Sequence, residues 1–149
     1  MAHNKHIRTL EDLECWKCCR EVRLFVAKEV VAILPREERF RLGDQLIKAA
    51  RSSTANIAEG YGRFHYMDNA KFCSNARGSC WEVLDHLITA YDEGLISAEI
   101  LSRGRDLVHQ AIKHLNGYMK YLQRAANKHP SVQEELSKYL TSTQDPDNR

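Results

Sequence analysis

Basic side chains recur along one side of the last long apolar-periodic stretch of the chain, and their chemistry is that of phosphate contact. They are Arg105, His109, Lys113, Lys120, Arg124 and Lys128. At about 100° per residue, these positions cluster roughly opposite the apolar ones. Every charged side chain of this basic stripe is cationic or, for His109, can become so, whereas a solvated face usually mixes both signs. The pattern favours a polyanionic partner, with a plain soluble surface as the alternative.

Three cysteines, Cys15, Cys18 and Cys19, lie close enough in sequence to suggest a metal or redox site. They fall inside a predicted helix, however, and no second cysteine pair or histidine pair at ligand spacing accompanies them. A buried free cysteine behaves as a small hydrophobic residue, and Cys73 and Cys80 lie on an apolar seam. The chain also carries neither a GxSxG turn nor a glycine-rich phosphate loop. We therefore predict no metal, no cofactor and no catalytic residue; a metal-dependent enzyme is the alternative.

The elements that must position these residues are helices whose apolar residues recur every three and then every four positions. One seam consists of Cys73, Ala76, Cys80, Val83, Leu87 and Ala90. The next consists of Leu101, Gly104, Val108, Ala111, Leu115, Tyr118 and Leu122. This spacing is typical of α-helices that pack nearly parallel to one another. The fold class is therefore all-α, and because the links are short we predict an antiparallel up-and-down four-helix bundle.

Capping and breaking residues set the limits of four predicted helices, at about 10–34, 36–61, 67–93 and 98–128. The residues that begin or end them are Thr9, Pro35, Gly60, Gly62, Gly94 and Ser97. Gly78 and Ser79 predict a point where two helices approach closely. Residues 10–128 form one domain, preceded by an N-terminal segment, 1–9, and followed by a short helix and flexible tail, 129–149.

Charge and composition narrow the possible environments. The chain has 149 residues, a net charge of +2 and five cysteines. Residues 78–98 contain four acidic and no basic residues, whereas residues 99–128 contain six basic and two acidic ones, so charge is segregated along the chain. The odd cysteine count and the polar Met1–Arg8 predict a reducing cytoplasm. The apolar runs are far shorter than the roughly 20 residues that a membrane span needs.

Three segments resemble a bacterial four-helix bundle family. They are QLIKAARS at 45–52, NIAEGYGR at 56–63 and ARGSCWE at 76–82, within a likeness that covers about residues 10–126. The family contains the proteins encoded in intervening sequences of large-subunit ribosomal RNA genes. It is similar to the accessory variability determinants of diversity-generating retroelements.

The resemblance implies a homopentamer of four-helix protomers, arranged as a barrel with a basic surface. In the retroelement relatives, that assembly is a partner of a reverse transcriptase and its structured RNA, and no catalytic residue comes with the family. Three matched residues are implied to be structural, namely Asn56, Glu59 and Gly60. Four others are implied to be basic contacts, namely Lys48, Arg51, Arg63 and Arg77.

Together these observations predict a non-enzymatic, oligomeric accessory protein that binds structured RNA or RNA/DNA. Phosphate contacts by the basic stripe, namely by Arg105, Lys113, Lys120 and Arg124, would position the nucleic acid without reading its sequence. Repetition over several subunits would raise the avidity of a modest site. Tyr118 and Tyr121 can stack on bases, although Tyr118 falls on the seam. The alternative is a protein-interaction scaffold without direct nucleic-acid binding, bound for example to a reverse transcriptase.

Overall fold

The computed structural model describes residues 7–128, and over that range the chain is helical apart from short links. It begins with a 3-10 turn, Leu10–Asp12. The α-helices are α1, Glu14–Phe25; α2, Arg36–Arg39; α3, Leu42–Tyr61; α4, Tyr66–Asp92; and α5, Ala98–Lys128. The predicted all-α fold class is confirmed for this range. The short helix and tail predicted at 129–149, and residues 1–6 of the predicted N-terminal segment, lie outside the described residues.

The four longer helices form a ring in which α1 packs on α3 and α5, and α4 packs on the same two helices. Neighbours run antiparallel, because late residues of one helix meet early residues of the next. On α4 and α5, Asn69 contacts Tyr118, whereas Leu87 lies beside Gly104. The structure is thus an up-and-down bundle in which α3 and α5 face each other diagonally.

The core of the bundle is formed by the predicted seams. Their members on α4 and α5 are buried, with Tyr118 half-buried. Gly104 makes a close approach possible, since a Cβ atom at this position would lie 2.6 Å from Leu87 Cδ1 and 2.9 Å from Phe25 Cε1. The helices therefore meet at van der Waals contact along the whole seam.

The first predicted helix, 10–34, differs from the observed one. The Asp12 carboxylate accepts hydrogen bonds from the N–H groups of Arg8 and Thr9, at 2.9 and 3.2 Å, and closes a separate 3-10 turn before α1. After α1 the chain continues as a π-helical segment, Val26–Val30, and a 3-10 turn, Val31–Ile33.

The π-helical segment has a packing reason. Four buried residues of this region, Val22, Val26, Val30 and Leu34, lie four positions apart, and Phe25 is buried beside them. In an α-helix, side chains four positions apart differ by roughly 40° in direction around the helix axis. The wider turn of a π-helix offsets this difference. All four side chains consequently remain in the core.

The second predicted helix, 36–61, is broken at Phe40 and Arg41 into α2 and α3. Arg39 donates hydrogen bonds to the carbonyls of Leu34 and Ala32, each at 3.0 Å, and so satisfies the end of the preceding helical segment. Arg41 has φ −114° and ψ −94°, which no α-helix allows. These contacts hold α2 as a single turn against the start of α3.

The later boundaries agree closely with the sequence. Gly94 has φ +72° just after α4, and the Ser97 hydroxyl accepts a hydrogen bond from the N–H of Ile100 at 3.2 Å before α5. Gly62 ends α3 as predicted, but Gly60 lies within α3 rather than stopping it. No helix within residues 7–128 combines the length and the apolarity required to cross a membrane.

One predicted close approach is only half right. Ser79 is buried, and its Oγ lies 3.0 Å from Ser52 Oγ on α3. Gly78, however, faces open space, since a Cβ atom there would meet no heavy atom within 4 Å. The close approach of α3 and α4 depends on Gly60 instead.

Candidate nucleic-acid interface

The basic stripe lies on the outward side of α5. Arg105, Lys113, Lys120 and Arg124 are all exposed, and none of them forms an ion pair among the described residues. The ring of His109 packs edge-on against that of Trp81, with the centroids 6.1 Å apart. The cations of the stripe therefore have their charge available to a ligand in solution.

Asp106 corrects the prediction that the charged side chains of this face are all cationic. It is exposed and lies eighteen positions before Arg124, which is five full helical turns, so both point in the same direction. After Asp106, α5 contains no acidic residue up to its end at Lys128. The positive charge of α5 itself is thus concentrated in its second half, from Lys113 onward, with Asp12 and Glu14 lining the same pocket as Lys113.

A groove of about 550 Å³ between α4 and α5 brings further cations to this half of the molecule. Arg77 from α4 and Lys120 from α5 line it together, and Lys71 adds a third positive charge. The Arg77 guanidinium is half-buried and donates a hydrogen bond to Asn116 Oδ1 at 2.8 Å, which fixes its direction. The groove extends the stripe sideways onto α4. From the sequence, Lys71 was one of four basic residues, with Arg51, Arg63 and Arg77, that could add to the positive field but whose facing could not be fixed.

Two of the predicted cations lie elsewhere. Lys48 and Arg51 are exposed on α3, which faces α5 diagonally, so they do not share a surface with the stripe. Lys48 Nζ lies 2.8 Å from Asp44 Oδ2, and this hydrogen bond raises the pKa of Lys48 while the carboxylate neutralises its field. Lys48 and Arg51 are therefore separated from the cations of α5 and of the groove.

Arg63 occupies a third position, in the link between α3 and α4. Its Nη2 donates a hydrogen bond to Glu59 Oε1 at 2.7 Å, and its guanidinium lies over the Phe72 ring, 5.1 Å from the centroid. The side chain is held in place at the end of the bundle, close to the end of α5. The Glu59 carboxylate offsets the positive charge of Arg63.

The residues implied to be structural act mainly within α3. The Asn56 amide donates hydrogen bonds to the carbonyl and the hydroxyl of Ser52, at 2.8 and 3.0 Å. Gly60 is needed for packing, because a Cβ atom would lie 2.8 Å from Asn69 Oδ1 and 2.9 Å from Phe72 Cβ. The motif thus sets how closely α3 and α4 approach each other.

The cysteines lie mostly in the core. Cys15, Cys19, Cys73 and Cys80 are buried, and the Sγ atoms of Cys19 and Cys80 are 3.7 Å apart across the bundle. Burial raises the pKa of Cys15, and it raises that of Cys73 to about 12. Among residues 7–128, no group of three or more His, Cys, Asp or Glu side chains has the arrangement of a metal site.

Aromatic side chains gather at the end of the bundle where the α3–α4 link meets the last turns of α5. The sequence analysis singled out only Tyr118 and Tyr121 of this group. The structure adds Tyr61, Phe64 and Tyr66, which surround the same pocket. The run YGRFHY at 61–66 carried a compositional signal for it, since three of its six residues are aromatic.

Comparison with known proteins gives one family match. A family model described as 23S rRNA-intervening sequence protein matches residues 11–117. That span covers α1 to α4 and the part of α5 that carries Arg105 and Lys113, but it ends before Lys120 and Arg124. A search among curated proteins finds no significant match.

Proposed function

The chain belongs to the family of 23S rRNA-intervening sequence proteins, and on this premise we propose that it is a non-enzymatic, oligomeric protein that binds structured RNA or RNA/DNA. The observation that carries the proposal is the second half of α5, where Lys113, Lys120 and Arg124 are exposed without an acidic partner among the described residues. The family name refers to a ribosomal RNA gene and is consistent with an association with RNA.

Binding through this surface would be electrostatic and independent of sequence. Each phosphate that a cation neutralises releases counterions and adds about 0.7–0.9 to the slope of log K against log salt. Three or four such contacts in one protomer make a weak site. Arg77, fixed by Asn116 at the edge of the groove, would add a contact with defined direction.

Self-association would turn this weak site into a strong one, and we propose the homopentamer that the family resemblance implies. An observation on α4 supports a protein contact: Trp81, Ile88 and Tyr91 are exposed by 50%, 36% and 44%, although their side chains are large and apolar. Copies of one stripe displayed around a ring would bind a long polyanion with high avidity.

The proposal extends to a partner and a compartment. The likeness to retroelement accessory proteins suggests a reverse transcriptase as the protein partner, with this protein presenting the RNA to it. A gene for such an enzyme beside the gene of this protein, and co-purification of the two products, would support that role. All five cysteines are free thiols, which suits a reducing cytoplasm.

The test is the salt dependence of binding to a hairpin RNA, measured by fluorescence anisotropy between about 50 and 200 mM salt. We expect the triple variant Lys113→Ala/Lys120→Ala/Arg124→Ala to lower the slope by about 2 to 3. A matched control, Arg20→Ala/Lys28→Ala/Arg36→Ala, removes the same charge from exposed positions outside the stripe and the groove and should leave the slope close to that of the wild type.

Absence of binding at low salt would refute the proposal. In that case the exposed apolar residues of α4 would favour the alternative, a protein-interaction scaffold whose charges serve solubility. Light scattering then compares the molar mass of the wild type with that of Trp81→Ala and Ile88→Glu. The comparison shows whether this surface holds copies of the chain together.

A further inference from the structure

The aromatic pocket at the end of the bundle combines two rings that pack against the core, those of Tyr66 and Tyr118, with rings that lie outside it. It has a volume of about 260 Å³ and is surrounded by Tyr61, Phe64, Tyr66, Tyr118 and Tyr121. Phe64 and Tyr121 are 84% and 58% exposed, so their rings contribute little to the buried interior. Clustered aromatic rings at an exposed site are typical of a surface that binds a ligand.

Two of the rings form a fixed platform. The rings of Tyr118 and Tyr121 are stacked, with their centroids 6.1 Å apart and their planes inclined by 14°. Tyr118 is held in place by α4, because its hydroxyl oxygen accepts a hydrogen bond from Asn69 Nδ2 at 3.0 Å. Tyr121 stacks on this anchored ring and is 58% exposed.

The charged residues on the Tyr121 side of the platform are positive, whereas Asp12 and Glu14 lie beside Tyr118 in a neighbouring pocket. Arg63 lines the pocket, and no described residue that lines it is acidic. Arg124 follows Tyr121 by three positions on α5, so the two side chains are neighbours on the helix surface. Lys120 precedes Tyr121 directly and faces the groove between α4 and α5. The aromatic pocket therefore lies at the end of the surface that carries the proposed phosphate contacts.

We infer that this pocket binds an unpaired base of RNA, in a loop or a bulge next to a helix held by the basic stripe; this inference rests on the proposed function. Proteins bind single-stranded nucleic acid by stacking bases on aromatic side chains while cations follow the backbone. The volume is below the roughly 300–1,000 Å³ of pockets for whole small molecules, and it suits one planar base.

The experiment compares two hairpin RNAs that differ only in the loop, which is made either of nucleotides or of abasic residues with the same phosphates. We expect the wild-type protein to bind the base-containing loop about 5- to 150-fold more tightly, the range for stacking of one base. Tyr121→Ala and Phe64→Ala should lower this ratio toward one, with an unchanged salt slope. Tyr121→Phe, which keeps the ring, should retain the ratio.

A matched control is Tyr91→Ala, which removes an exposed tyrosine at the opposite end of α4. It should leave the ratio at the wild-type value. A second readout is a 2-aminopurine base in the loop, whose fluorescence should be quenched by the wild type and not by Tyr121→Ala. Circular dichroism of each variant shows that the bundle is intact.

Equal affinity of the wild type for the two loops would overturn the inference, and so would a ratio that survives both Tyr121→Ala and Phe64→Ala. Loss of self-association in these variants with an unchanged ratio would assign the pocket to a protein contact and also overturn it. Failure here is distinct from failure of the proposed function, because salt-dependent binding to the abasic hairpin would still be observed.

Discussion

Gly104 on α5 lies where the bundle leaves no room for a methyl group, so Gly104→Ala has a predictable effect on stability. A Cβ atom would lie 2.6 Å from Leu87 Cδ1 and 2.9 Å from Phe25 Cε1. Both side chains are buried, at 0% and 4% exposure, and neither can turn into solvent. Overpacking of a filled core costs roughly 1–3 kcal/mol, and the better helix propensity of Ala returns about 1 kcal/mol. We expect a net loss of up to about 2 kcal/mol.

Gly117 provides the matched control on the same helix. It is exposed, and a Cβ atom there would meet no heavy atom within 4 Å, so Gly117→Ala should stabilise the protein by about 0.5–1 kcal/mol. Urea unfolding followed by far-UV circular dichroism measures the free energy of unfolding of both variants. Their thermal midpoints should differ from that of the wild type by about 2–4 °C per kcal/mol. If Gly104→Ala were as stable as Gly117→Ala, α5 would not depend on this close approach, and the packing argument would fail.

Three further predictions address the motif, the cysteines and the cations of α3 and α5. Gly60→Ala should destabilise the protein by up to about 2 kcal/mol in the same urea assay, because the new methyl group would push α4 away from α3 and the better helix propensity of Ala offsets only part of that cost. In thiol labelling of the native protein near pH 8, half-buried Cys18 should react first. Cys73 should remain unreacted, since its pKa of about 12 keeps it protonated, and rapid labelling of Cys73 would contradict its burial. The double variant Lys48→Ala/Arg51→Ala should change the salt slope of RNA binding less than Lys113→Ala/Lys120→Ala; an equal change would show that α3 contributes to the same surface.

The existence and the facing of the long helices could be predicted from the sequence because their apolar spacing is regular. The seam from Leu101 to Leu122 is buried as predicted, with Tyr118 at its margin. The first helix could not be predicted in detail, since four of its buried residues lie four positions apart and the backbone changes its winding to keep them inside. The break at Phe40 depends on Arg39 reaching back to Leu34, a contact that no local pattern indicates.

Glycines show why residue type alone does not give packing. Gly78 and Gly104 both lie in the interior of long helices, and each was given a place in helix packing by the sequence. Only Gly104 has neighbours within contact distance, because only its side of the helix faces the core at that level. The distinction follows from the rotation of each helix in the bundle.

The candidate site was predicted in its parts but not in its arrangement. The cations of α5 lie on one helix, and the periodicity of that helix is sufficient to predict that they share a face. Arg51 and Arg77 looked equivalent in sequence, yet α4 packs beside α5 while α3 lies diagonally opposite. The aromatic pocket draws on two segments about fifty residues apart, so no window of sequence contains it.

The antiparallel pairing of α4 and α5 gives the two ends of this surface a different balance of charge, although Arg105 of the basic stripe lies at the more acidic end and Asp68 at the more basic one. The first half of α4 carries Lys71 and Arg77 and lies beside the second half of α5, where no acidic residue follows Asp106. The second half of α4, within the acidic segment 78–98, lies beside the start of α5 and exposes Trp81 and Tyr91. Like charges along the acidic end would repel a phosphate backbone, so an RNA would be directed to the end that carries the aromatic pocket. The exposed apolar residues near the acidic end would then remain available to a protein partner, and one protomer could make both kinds of contact without competition between them.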